Sequence, residues 1–92
     1  MAKLSEEEIG EKLGDLDGWE RDREAIAKSF DRGDFVGSVR FVDSLVEPAE
    51  EMNHHPDIEI SWSEVTVTIT THSEGGLTEN DFELAKKVDA LA

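Results

Sequence analysis

The chain contains no cysteine, only two prolines, and 9 Lys+Arg against 23 Asp+Glu in 92 residues. Each shortage excludes something. Without cysteine there is no disulfide framework, no thiolate nucleophile and no cysteine-bound zinc. The formal net charge of −14, with no Lys/Arg cluster as a local exception, repels phosphate backbones, so direct nucleic-acid binding is not expected. No apolar run approaches the ~20 residues of a membrane span. The N-terminal MAKLSEEEIGEKL is too charged for a secretory signal, so membrane association is not expected and a cytoplasmic location is. Two readings of the acidity stand side by side: adaptation to a salty cytoplasm, where carboxylates keep a protein hydrated, or an ordinary acidic protein.

What is present reads as one unit, a single domain over 1–92 with no repeat, linker or low-complexity stretch. A core this thin gains from burying surface in an oligomer. Ser5 and Glu8 have the capping-box spacing, with Leu4 and Ile9 at the staple positions, which predicts a first helix ending in GDLDG. Two short strands follow, WERD and AIAKSF, separated by Arg23-Glu24. Asp34 is placed to cap a second helix whose apolar positions are Phe35, Val39, Val42, Val46, Ala49 and Met52. Pro48 conflicts with it and predicts a kink near Ser44 to Pro48, or two segments.

After His54-His55-Pro56 the period changes to two. Ile58, Ile60 and Trp62 share one face, and VTVTIT repeats the alternation with Val65, Val67 and Ile69 inward. Ser63-Glu64 is the expected turn between these strands. Thr78 is placed to cap a last helix, with Glu79 and Asp81 in its first turn. The order helix, two strands, helix, two strands, helix predicts an α+β fold: a four-stranded antiparallel sheet with three helices packed on one face.

A turn at Ser63-Glu64 pairs Trp62 with Val65 and Ile58 with Ile69, and extending that ladder sets position 55 opposite position 72. All three histidines of the chain, His54, His55 and His72, then converge at the open end of the hairpin. Three imidazoles raise the question of zinc. Adjacent residues at a helix-to-strand junction diverge, however, and no H-x-x-x-H or H-E-x-x-H pair fixes two ligands on one helix face. Acid/base chemistry suits the cluster better, because histidine holds both protonation states near neutral pH. Glu50 and Asp57 are close enough in sequence to orient a ring.

The pattern is an acidic residue, three residues, His-His-Pro, an aromatic six positions on, a histidine ten later and then an aspartate. It reads here as Glu50, His54-His55-Pro56, Trp62, His72 and Asp81. With GGLT after the third histidine and the earlier Gly18-Trp19, it resembles the pterin-4a-carbinolamine dehydratase family over nearly the whole chain. The resemblance implies dehydration of a 4a-hydroxytetrahydropterin to the quinonoid dihydropterin, with no metal and no organic cofactor. It implies His54, His55 and His72 as the catalytic set; the expected division gives proton transfer to His54 and His72 and positioning of the ring to His55.

The resemblance also implies Pro56, Thr71, Ser73 and Glu74 as pterin-pocket residues. Each slot has an ordinary reading beside it. Thr71 serves equally as a strand residue, Trp19 stacks on the pterin or closes the core, and Trp62 is expected in the core. Asp81 orients His72 or caps the last helix. By the same resemblance the partners are the pterin and further copies of the chain, as homodimer or homotetramer. Two alternatives to pterin recycling remain: a similar reaction in another pterin pathway such as molybdopterin metabolism, and a protein-binding role of the kind that animal relatives have with a homeodomain transcription factor.

Overall fold

The computed structural model describes residues 2–92. Helix α1 spans Glu6–Gly14, strand β1 Glu20–Asp22, β2 Ala25–Asp31, helix α2 Phe35–Ser44 and α3 Val46–Met52. Strand β3 spans Asp57–Ser61, β4 Glu64–Ile69, a 3-10 turn His72–Glu74 and helix α4 Glu79–Leu91. The four strands form one antiparallel sheet in the order β1-β2-β4-β3, an α+β fold. Ile26 and Phe30 of β2, with Val65, Val67 and Ile69 of β4, supply the sheet's side of the core. Ile9, Phe41, Leu45, Leu84, Ala85 and Val88 cover it from the helices.

Local chemistry sets the boundaries. Ser5 and Glu8 complete a reciprocal capping box, Ser5 N–H donating to Glu8 Oε1 at 2.9 Å and Glu8 N–H to Ser5 Oγ at 3.2 Å. The Asp34 carboxylate accepts from Gly37 N–H at 2.7 Å and starts α2. The second helix is in two segments, and Pro48 explains where they part. Without an N–H, Pro48 cannot bond to the Ser44 carbonyl and its ring crowds that group, so α2 stops at Ser44. Proline sits instead in the first turn of α3, where an amide proton has no intrahelical partner anyway.

The inward face of the second helix matches the expected one only in part: Ala49 is buried and Val42 and Met52 pack partly buried against the core. Ser38, Phe41, Leu45 and, in α3, Ala49 are buried, while Phe35, Val36, Val39 and Val46 are exposed. Valines and phenylalanine all round make this helix apolar on more than one side, and periodicity alone does not rank the sides. Ser38 is the polar residue on the buried side. Its hydroxyl donates to the Trp62 carbonyl at 2.6 Å and ties α2 to the β3–β4 turn.

That turn is also displaced from expectation. Ile58 pairs with Val67 and Ile60 with Val65, a register two residues away from the one predicted. The turn residues are Trp62 and Ser63, and Trp62 adopts a left-handed backbone with φ +52°. The tight turn needs positive φ, and with no Asn-Gly or Asp-Gly to mark it the sequence gives no cue. A shift by two preserves which face each side chain uses. Ile58 and Ile60 therefore still point to the helix side, but at the outer edge of the sheet they remain half exposed. Trp62 leaves the core altogether, 69% exposed.

Candidate active site

Helix α3 ends at Asn53, whose φ of +49° and ψ of +46° are the left-handed conformation that asparagine tolerates well. The chain reverses there, and His54 N–H returns to the Ala49 carbonyl at 3.0 Å. The two imidazoles leave this corner toward different partners. His54 reaches inward to the first turn of α4, with Nε2 2.6 Å from Asp81 Oδ1. His55 stays outside and sets Nε2 2.5 Å from Glu50 Oε2, back on α3.

The two carboxylates have opposite surroundings. Asp81 is fully buried, and its other oxygen accepts from Thr71 Oγ1 at 2.9 Å and from Thr78 N–H at 2.8 Å. Glu50 and His55 are both exposed, so solvent competes for that pair. His54 is thus held by a dry, multiply bonded group, and His55 by a loose one.

His72 arrives by a route the predicted ladder did not contain. Strand β4 ends at Ile69, and position 70, not 72, continues opposite position 55. Thr71 then bridges Gly76, and His72, Ser73 and Glu74 form the intervening 3-10 turn, all exposed. His72 therefore directly follows Thr71, which shares Asp81 with His54. Three elements meet at this carboxylate: the α3–β3 corner, the segment after β4, and α4.

Several expected site residues fall elsewhere. Asp81 holds His54 rather than His72 while also accepting from the N-cap Thr78, so orienting and capping prove to be one job. Thr71 is 8% exposed and its hydroxyl is committed to Asp81 and Thr78, which removes it as a direct polar contact for a ligand. Trp19 is 5% exposed, packs edge-on to Phe30 at 6.2 Å and donates Nε1–H to Asp89 at 3.0 Å. Asp89 lies two helical turns beyond Asp81, about 12 Å along α4, so Trp19 closes the core away from the histidines. Asp57 begins β3 opposite Thr68 and, among the described residues, bonds to no imidazole. Pro56 stands with His55 and Glu50 beside a shallow apolar pocket of about 190 Å³ walled by Val42, Leu45, Val46, Ala49 and Ile58. A concavity of about 660 Å³ between Gly18, Arg21, Lys28 and Thr66 holds no imidazole. Among the described residues no three His, Asp or Glu side chains converge at metal-ligand spacing.

Thr78, read from the sequence as a cap, also joins this network through its N–H to Asp81 and its hydroxyl to Thr71. The signal was present in the T-x-x-D spacing, which places an aspartate over its own N-cap.

The profile of the pterin 4 alpha carbinolamine dehydratase family matches residues 2–91. The chain belongs to this family. A provisionally named pterin-4-alpha-carbinolamine dehydratase from Thermosynechococcus vestitus is 46% identical over 90 residues, covering 98% of this chain and 95% of that one. A counterpart from Sulfolobus acidocaldarius is 44% identical over 89 residues, covering 97% and 98%. Among solved structures, a transcriptional coactivator/pterin dehydratase from Brucella melitensis superposes with a TM-score of 0.93 at 40% identity, over 98% of both chains. A more distant dehydratase-like protein, described as a RuBisCO assembly factor in the alpha-carboxysome, gives 0.66 at 28% identity over 80% of this chain and 86% of its own. A chain nearly superposable on this one is thus described as a pterin dehydratase, and a more distant dehydratase-like one as an assembly factor.

Proposed function

We propose that the protein dehydrates a 4a-hydroxytetrahydropterin to the quinonoid dihydropterin, by proton transfer through histidine. The reaction removes the N5 proton, breaks the C4a–O bond and forms a C4a–N5 double bond, while the departing hydroxyl takes a proton and leaves as water. A base at N5 and an acid at the hydroxyl must flank one bond, and no electron acceptor is needed. The carrying observation is the pair formed by His54 and buried Asp81, with His72 one residue beyond a second ligand of that carboxylate.

In this reading His54 and His72 make the two proton transfers, and His55, held by exposed Glu50, positions the ring beside Pro56. Ser73 and Glu74 line the approach from the 3-10 turn. No metal or organic cofactor takes part. Among the described residues no helix is long and apolar enough to cross a membrane; the proposed place of action is the cytoplasm.

The proposed assembly is a homodimer or homotetramer. It is supported by the exposed apolar surface of Phe35, Val36, Val39, Val46, Ile58, Ile60 and Trp62, along α2, the start of α3 and the free edge of β3.

Stopped-flow measurement of 4a-hydroxytetrahydropterin dehydration, with and without chelator, tests the reaction. Acceleration that survives chelation supports it; no acceleration refutes it, and chelator-sensitive turnover refutes its metal-free form. Running the same assay on other hydroxylated pterins separates recycling from another pterin pathway. A protein-binding role has one observation in its favour, the apolar surface together with the assembly-factor relative. It predicts that His54→Ala leaves partner binding intact.

A further inference from the structure

With Asp81 ionised, the hydrogen bonds around it admit one consistent assignment of protons. Thr71 has a single hydroxyl proton, and it goes to Asp81 Oδ2 at 2.9 Å. The Thr78 hydroxyl, 2.9 Å from that of Thr71, must then be the donor between them. Thr78 N–H fills the remaining approach to Oδ2 at 2.8 Å. Thr71, Thr78 and Asp81 are all buried, at 8%, 0% and 0% exposure, so water does not substitute for any of these bonds.

An ionised carboxylate only accepts, and Oδ1 is left facing His54 Nε2 at 2.6 Å. Nε2 therefore carries a proton whether the imidazole is neutral or charged. In the neutral ring the lone pair then lies on Nδ1. His54 has no other side-chain hydrogen bond among the described residues. Arg32 Nε is the one buried side-chain polar atom among them that lacks a partner, so His54 Nδ1 is not fully enclosed, and the His54 side chain is 12% exposed.

We propose that Thr71 and Thr78 are positioning residues that keep Asp81 a pure acceptor and thereby place the exchangeable proton of His54 on Nδ1. The kinetic consequences rest on the dehydratase reading; the tautomer does not. Within that reading, Nδ1 takes up the N5 proton of the pterin to give an imidazolium, whose second proton stays on Nε2 against Asp81. Nδ1 then passes that proton to water, which restores the neutral ring. The hydroxyl chain from Thr78 through Thr71 moves no proton to the substrate; it limits which nitrogen does.

The test is a long-range ¹⁵N–¹H correlation spectrum of the whole protein at a pH where the imidazoles are neutral. The expected result is a bare, pyridine-like Nδ1 and a protonated, pyrrole-like Nε2 for His54. A protonated Nδ1 overturns the proposal. Thr71→Val should mix the two tautomers and lower kcat about tenfold, the rate equivalent of one hydrogen bond to a charged group, with KM within about twofold. Thr71→Ser should restore both readouts. A Thr71→Val protein with unchanged tautomer and unchanged kcat also overturns it. If that variant does not fold, the wild-type spectrum and Thr78→Val, which keeps the N–H cap and loses only the hydroxyl, decide the matter. Wild-type protein without dehydratase activity sinks the function proposed above and leaves the tautomer measurement to stand or fall alone.

Discussion

His54 and Asp81 lie 27 residues apart in the chain and 2.6 Å apart in the fold. The contact joins the corner after α3 to the first turn of α4 and buries one of the chain's many carboxylates completely. Asp→Asn here keeps the shape and an acceptor for Thr78 N–H. It removes the charge and can turn an amide N–H toward the ring, favouring the wrong tautomer. Asp81→Asn should therefore lower kcat by about a hundredfold or more, by the precedent of an orienting aspartate in a catalytic triad. It should also cost roughly 1–3 kcal/mol of stability from the disturbed buried bonds. Turnover and denaturant melts on one preparation check both figures.

Trp19 provides the opposite case, a residue with an aromatic role available on either side. With its ring against Phe30 and its N–H on Asp89, it belongs to the core. Trp19→Phe should cost about 1 kcal/mol or somewhat more through the lost hydrogen bond and the smaller ring. KM for the pterin should stay within about twofold. A tenfold rise in KM with unchanged melting would return Trp19 to the site.

The apolar edge makes a prediction about mass. Ile58→Glu places a charge beside Ile60 and the exposed valines of α2, at a side chain that is itself 37% exposed. Sedimentation should show the wild type as a dimer or tetramer and this variant shifted toward monomer. Because the chain carries a net −14, the wild-type assembly should also loosen as salt is lowered and repulsion extends beyond about 10 Å. A wild type that sediments as a monomer at all concentrations removes the proposed assembly.

The start of α1 should respond to acid. The Arg21 guanidinium beside Glu6, and the Ser5 backbone N–H bonded to Glu8, hold both carboxyls below the usual carboxylate range. A pKa lowered on folding contributes stability that is present above the unfolded value and is lost as pH falls through the folded one. Amide exchange in α1 should therefore speed up as pH drops below the ordinary carboxylate value of 4.5, after correction for the intrinsic exchange rate. Glu8→Gln should flatten part of that dependence. An α1 whose corrected protection is flat through this window contradicts the assignment.

Much of the fold was legible because its boundaries are written in local chemistry. Ser5 with Glu8, Asp34, Pro48 and Thr78 each mark an element end through groups within a few residues. The strand alternation gave the correct faces even where the register was two residues out, since a shift of two leaves facing unchanged. Turn choice was not legible, because a tryptophan at positive φ is an outlier that no propensity anticipates.

The site was legible as a set of residue types and opaque as a set of partners. The motif holds both Asp81 and a histidine for it, but the expected ladder pointed to His72, and only the 3-10 turn and the fold of α4 onto the α3–β3 corner give the carboxylate to His54. The exposed stripe of α2 was opaque for another reason. A helix apolar on several sides does not say which one a monomer keeps for itself.

Asn53 carries one more consequence. A single residue in the left-handed region ends α3, aims His54 at a buried carboxylate and leaves His55 to the surface. The direction of the inner imidazole is therefore settled during folding, before any ligand arrives. A substrate meeting such a ring has little conformational entropy to remove from it, so less of its binding energy is consumed in ordering the protein and more remains for the bond being broken.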